Sequence, residues 1–173
     1  MKSQRKALIE ELVAGRESVL QACWAQQPWG TAPLRLSDGT PMQVVFPGWI
    51  NRGPGPDFKE ARILINTTEV AGDVEIHVDE RDWQRHAHQG DQAYRRVILH
   101  VVLERTSSPA NRPVSEERIP IFPIGSYLNP DLLHALGDPD MLLRHYERLP
   151  GRCGIRASQT DPDSVEAVVA HAA

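Results

Sequence analysis

DVEIHVD, residues 73–79, carries Asp73, Glu75, His77 and Asp79 on alternate positions, with Val74, Ile76 and Val78 between them. Successive side chains of a strand point to opposite faces. Read as a strand, the segment therefore gathers four ionisable groups on one face and three aliphatic ones on the other. Two readings compete: an edge strand with one wet side, or a polar face arranged around a metal ion. The neighbouring segments decide what each reading requires.

Upstream, residues 4–27 read as one amphipathic helix. Leu8, Leu12, Val13, Val19, Leu20, Cys23 and Trp24 recur at helical spacing, Gly15 weakens the middle, and Pro28 with Gly30 ends it. TAPLRLSDGTP, 31–41, holds the turn signal Asp38-Gly39 and predicts a hairpin or loop. MQVVFPGWI, 42–50, is a strand running into Pro47-Gly48, and NRGPGPDF, 51–58, is a stiff loop. ARILIN, 61–66, is a second strand, which makes 73–79 the third. Short connections predict an antiparallel meander of these three. ERDWQRHAHQ, 80–89, suits a short helix ended by Gly90. RRVILHVVLE, 95–104, is the most apolar strand and is expected to return parallel to the third by a right-handed crossover. RIPIFPI, 118–124, suits an edge strand, since Pro120 and Pro123 would spoil a central one.

NPDLLHALGDPDMLLRHYERL, 129–149, reads as helix, turn, helix, opened by Asn129-Pro130 and divided at Gly137 and Pro139. SVEAVVAHAA, 164–173, reads as the start of an apolar helix without a C-cap, as expected of a fragment of a longer protein. The division expected is an α/β core over residues 1–125, built on a mixed sheet, and a helical C-terminal extension over 126–173.

Composition bounds the function classes. Of 173 residues, 40% are hydrophobic and 24% charged, ordinary values for a globular domain. No apolar run approaches the ~20 residues of a membrane helix, and the charged N-terminus lacks a secretion-signal core. Cys23 and Cys153 form no C-x-x-C pair, in keeping with a reducing, cytoplasmic location. The net charge of −4 argues against a protein basic all over, yet leaves room for a local basic groove for DNA or RNA.

The chemistry-bearing residues cluster around the third strand. Asp57 precedes the second strand, and Glu75 and His77 share a face of the third. If those strands are hairpin neighbours, Asp57 and Glu75 meet at one end of the sheet. Two carboxylates and a main-chain carbonyl, here that of Ile76, make an all-oxygen donor set of the kind Mg²⁺ or Mn²⁺ favours. The bland alternatives are an Asp57 that caps a turn and a Glu75 on a solvated face.

The αβββαβ order with Pro56-Asp57 followed by Glu75-Ile76-His77 resembles the PD-(D/E)XK phosphodiesterase superfamily, the restriction-endonuclease-like fold, across residues 5–104. The resemblance implies that Asp57 and Glu75 bind the metal and that the residue at 77 positions or activates water. That residue is a Lys in the superfamily pattern and His77 here. A neutral His offers one acceptor and could bind the metal or act as a base. Some superfamily members complete the site with a Glu on the first helix, for which Glu10, ahead of Glu11, is the local candidate. The strings NRGPGPDFKEARI, GDVEIHV, DWQRHAHQGDQAYRRVILHVV and LGDPDMLLR also resemble a bacterial family known only as a domain of unknown function. That second likeness supplies no activity.

Four of the seven histidines, His77, His86, His88 and His100, fall between 77 and 100. His100 interrupts an apolar strand and must find a partner there; a neighbouring third strand would bring it to His77. On a helix, His86 and His88 lie ~200° apart and cannot share an ion. If 86–88 is extended, that limit is lifted, and the alternative metal reading is a zinc site of His77, His86 or His88, and His100. Trp83 reads as a core anchor. Tyr94 reads as core or as a hydroxyl orienting the site. Arg95 and Arg96 are candidate phosphate ligands or solvated charges. The two functional readings are a metal-dependent nuclease-like phosphodiester hydrolase and a non-catalytic metal-binding or assembly module.

Overall fold

The computed structural model describes residues 2–85, 91–105 and 119–147. Its architecture is mixed α/β. Helices α1 (Lys2–Val13) and α2 (Glu17–Gln26) lead into a seven-stranded sheet: β1 (Leu34–Arg35), β2 (Pro41–Phe46), β3 (Trp49–Ile50), β4 (Phe58–Ile65), β5 (Thr68–Asp79), β6 (Val97–Glu104) and β7 (Ile121–Pro123). The short helix α3 (Asp82–Arg85) and a 3₁₀ turn, Gln92–Tyr94, lie between β5 and β6. Helices α4 (Pro130–Leu136) and α5 (Pro139–Glu147) follow the sheet. The spatial order is β1-β2-β4-β5-β6-β7, with β3 also pairing β4. Pairing is antiparallel as far as β5, whereas β5–β6 and β6–β7 are parallel.

The N-terminal segment differs from the single helix its periodicity suggests. Ala14 and Gly15 both take left-handed conformations, at φ 48° and 72°. The Ala14 N–H closes α1 on the Glu10 carbonyl, and a new helix starts at Glu17. A left-handed pair cannot continue a right-handed helix, so the apolar stripe is re-aimed rather than extended.

The strand expected over 42–50 is bent into β2 and β3 at Pro47-Gly48. Gly48 sits at φ 98°, and a Cβ there would stand 2.7 Å from the Lys59 carbonyl oxygen. Only glycine permits this approach. The bend lets one segment serve two stretches of β4, with Phe46 opposite Arg62 and Trp49 opposite Lys59. In β4, a register shift between Phe58 and Ala61 marks a bulge, with Glu60 at φ 59°.

The third predicted strand is not an edge. β5 lies between β4 and β6, and both of its faces are buried. Val74 and Ile76 join the helix-covered core with Leu99, Val101, Trp24, Phe58 and Phe122. Asp73, Glu75 and His77 retain only 4%, 6% and 1% of their exposure, which rules out a wet face. β7 is the edge strand expected of a proline-containing run, and the hairpin after β1 reaches it: the Ser37 N–H donates to the Ile121 carbonyl.

Helices α4 and α5 pack on α1, α2 and β3. Leu143 and Tyr146 belong to the same core cluster as the sheet, and the Tyr146 hydroxyl donates to the Gly48 carbonyl at 2.8 Å. The end of the helix expected over 80–89, with His86 and His88, and the tail over 164–173 lie outside the described residues. Among the described residues, no helix is long and apolar enough to cross a membrane.

Candidate functional site

The buried polar face of β5 meets the start of β4. In the antiparallel pair Phe58 stands opposite Val74, so Asp57 arrives one step before pairing begins, beside Glu75 and Ile76. The two acidic residues hold each other's strand. The Ile76 N–H donates to Asp57 Oδ2 at 2.8 Å, and the Asp57 N–H donates to Glu75 Oε2 at 3.2 Å. Backbone groups of a strand leave alternate sides along the chain, so the Ile76 carbonyl leaves β5 on the side where its N–H meets Asp57. Asp57, Glu75 and the Ile76 carbonyl therefore share one corner of the sheet.

Helix α2 closes this corner. Gln21 donates its side-chain amide to Asp57 Oδ1 at 2.8 Å. Glu17, one turn earlier on α2, adds negative charge that acts on both Asp57 and Glu75. These are the helix residues at the site. Glu10 lies on the exposed face of α1, 3.9 Å from Lys6, and Glu11 is exposed as well. The helix break at Ala14-Gly15 explains the difference: it turns the second half of the segment, not the first, toward Asp57. Nothing in the apolar periodicity marks Glu17 and Gln21. Their i, i+4 spacing becomes a signal only once the break is known.

The electrostatics are those of two acids crowded together. Burial pushes the Asp57 carboxyl well above the ordinary range, against the lowering effect of the Ile76 N–H. Burial likewise raises Glu75, and the neighbouring Asp57 charge raises it further. The Asp57 N–H and the Lys59 ammonium only partly offset this. Tyr94 is pushed up to about 12 by burial and by the charges of Glu75 and Asp57, which places its phenol within their field.

Lys59 was not singled out by the sequence pattern, because it lies inside β4 rather than two residues after Glu75. Its ammonium sits 3.5 Å from Asp73 Oδ2. Asp73 also accepts the Glu60 N–H at 3.1 Å, satisfying a backbone donor exposed by the bulge. Asp73 therefore secures β4 to β5. Asp79 serves a turn: it accepts the Arg81 N–H at 2.9 Å.

His100 stands opposite Glu75 in the parallel register, on the same face. Its Nε2 is 3.0 Å from His77 Nδ1. His77 Nε2 in turn lies 3.4 Å from Glu75 Oε1. Trp83 of α3 lies over the His100 ring, with centroids 5.1 Å apart, and packs edge-on against Tyr94 at 6.1 Å. His86 and His88 lie outside the described residues, and among the described residues no group of three or more His, Cys, Asp or Glu side chains could hold a metal. Arg95 and Arg96 are exposed just before β6, where the Arg96 carbonyl accepts the Asp73 N–H at 2.8 Å.

Gly72 makes this arrangement reachable. A Cβ there would overlap the Arg96 carbonyl oxygen and the Ile98 side chain, so only a glycine lets β6 close on β5 at this point.

The family model DUF2851, described as a protein of unknown function, matches residues 17–165, and the chain belongs to that family. No curated protein and no solved structure matches the chain.

Proposed function

We propose that this DUF2851 member is a metal-dependent phosphodiester hydrolase, with Asp57, Glu75 and the Ile76 carbonyl holding Mg²⁺ or Mn²⁺ and DNA or RNA as substrate. One observation carries the reading: a half-buried acid, Asp57, and a buried one, Glu75, whose backbone and side chains are mutually locked, both pushed above their ordinary pKa by burial, which disfavours their charged forms and favours added positive charge. A divalent cation would supply that charge.

The donor set fits such an ion. It is all oxygen, and Mg²⁺ commonly takes one or two carboxylates and keeps waters in its other positions. When bound, the ion would polarise a phosphodiester and lower the pKa of water. The chain's own residues would do the rest. Asp57 is fixed by Gln21 and the Ile76 N–H, and Glu75 by the Asp57 N–H, so both carboxylates are oriented before any ligand arrives. Trp83 packs on His100 and edge-on against Tyr94, beside the polar face. Arg95 and Arg96, exposed beside the site, would take up substrate phosphates. The likeness of the element order and of Asp57, Glu75 and Ile76 to the PD-(D/E)XK pattern supports the same reading.

Calorimetric titration of Mn²⁺ and Mg²⁺ into wild type, Asp57→Ala and Glu75→Ala tests the site. Binding by wild type and its loss in both variants is expected. Equal affinities in all three would sink it. Cleavage of single- and double-stranded DNA and RNA with either metal tests the activity. Metal binding without cleavage of any substrate would instead favour a metal-binding module.

A further inference from the structure

We propose that Asn51 is the positioning residue of the acidic pair: it grips the peptide units on both sides of Asp57, and so sets the direction of the Asp57 carboxylate and of the N–H that Asp57 offers to Glu75.

The loop NRGPGPD, 51–57, holds two prolines, which have no N–H to donate. Few backbone donors are left to close it, and the Asn51 side chain takes their place. Its amide donates to the Pro54 carbonyl at 3.1 Å and to the Pro56 carbonyl at 3.0 Å, while its oxygen accepts the Gly53 N–H at 3.0 Å.

The bond to Pro56 reaches the site. The Pro56–Asp57 peptide is a planar trans unit, whose C=O and N–H point in opposite directions. Asn51 holds the C=O, and Glu75 Oε2 accepts the N–H at 3.2 Å. The next peptide unit is held as well: the Asn51 N–H donates to the Asp57 carbonyl at 2.7 Å. Both planes that meet at the Asp57 Cα are therefore tied to one residue, which leaves the backbone dihedrals of Asp57 little freedom. Gln21 and the Ile76 N–H then fix the carboxylate that this backbone presents. None of these bonds requires either acid to be charged, because a carboxyl group accepts in both of its states.

The consequence rests on the proposed function. Two carboxylates share one Mg²⁺ or Mn²⁺ best when they are already oriented as the ion arrives. Asn51 bonds to neither carboxylate. It acts through the peptide units, in the manner of outer partners that orient metal-binding groups.

The test uses the full chain, with Asn51→Ala and Asn51→Asp. The second variant keeps the acceptor for the Gly53 N–H and the backbone bond to Asp57, and loses only the two donated bonds. Calorimetry at about pH 8 is expected to show Mn²⁺ binding weakened about tenfold in both. In Asn51→Asp this runs against the added negative charge, which alone would attract the ion. Amide hydrogen exchange without metal is the second readout. The Asp57 N–H is expected to exchange slowly in wild type and fast in both variants, while the β6 amides keep their protection. Lowered stability with unchanged Mn²⁺ affinity in a folded variant overturns the positioning role, as does tighter binding. Fast exchange of the Asp57 N–H in wild type overturns it without any variant. Absence of Mn²⁺ binding in wild type overturns the proposed function, and the Asp57 exchange rates alone then decide the role of Asn51.

Discussion

Asp57 and Glu75 clasp one another's strands: the Asp57 carboxylate accepts the N–H of Ile76, next to Glu75, while the Glu75 carboxylate accepts the N–H of Asp57. Each acid is thus both a ligand-like group and a structural acceptor. Its burial costs free energy when it ionises, and that cost has a measurable pH signature.

A carboxyl held above its ordinary value of about 4 in the folded state contributes stability in full below that pH and loses it as the pH rises through the folded value. Both Asp57 and Glu75 are raised. Wild type without divalent metal should therefore lose stability relative to Glu75→Gln from about pH 4 upward through neutrality. The gap should reach on the order of 1–3 kcal/mol. Urea unfolding in EDTA at pH 5 and pH 8 checks this, and a gap that shrinks with rising pH contradicts it.

Gly72 lets β5 and β6 approach beside the site. Gly72→Ala should cost about 1–3 kcal/mol by overpacking against Arg96 and Ile98. It should also disturb the His77–His100 contact, since both lie on the strands it would separate. Chemical denaturation gives the first effect, and the imidazole ¹⁵N shifts give the second. A variant with native stability and native shifts would show that the strands yield at no cost.

Tyr146 anchors α5 to the bend between β2 and β3 through its hydroxyl, 2.8 Å from the Gly48 carbonyl. Tyr146→Phe keeps the edge-on packing against Phe58 and removes only the buried hydrogen bond. The expected loss is about 1–2 kcal/mol. An unchanged denaturation midpoint would mean that water replaces the bond.

Cys23 is 1% exposed, and burial pushes its thiol up to about 12. In a Cys153→Ser background the native protein should therefore resist an aromatic disulfide reagent at pH 8 and react at once in denaturant. Rapid labelling of the native state would place the thiol at the surface.

Much of the sheet was legible because strand signals are local. The alternation at 73–79, the aliphatic run at 95–104 and the prolines at 120 and 123 report on burial and on ladder hydrogen bonds in their own neighbourhood. The parallel return of β6 beside β5 follows from connection length and handedness. The helix break was not legible. Gly15 marks a weak point, but a left-handed Ala14 carries no sequence signature, and tertiary contacts decide whether a helix bends or stops.

The sequence by itself determined which residues lie on each face of β5 and that Asp57 precedes its antiparallel partner, because both follow from the two-residue strand period and short connections. It left the surroundings of that face undecided. Only the tertiary structure buried Asp73, Glu75 and His77 and brought Gln21 and Glu17 rather than Glu10 to the pair, whereas the meeting of His100 with His77 was already expected from neighbouring strands. These depend on register, on a helix break and on a second layer covering the sheet. The energies that choose among such arrangements belong to contacts between residues far apart in the chain, and no single segment contains them.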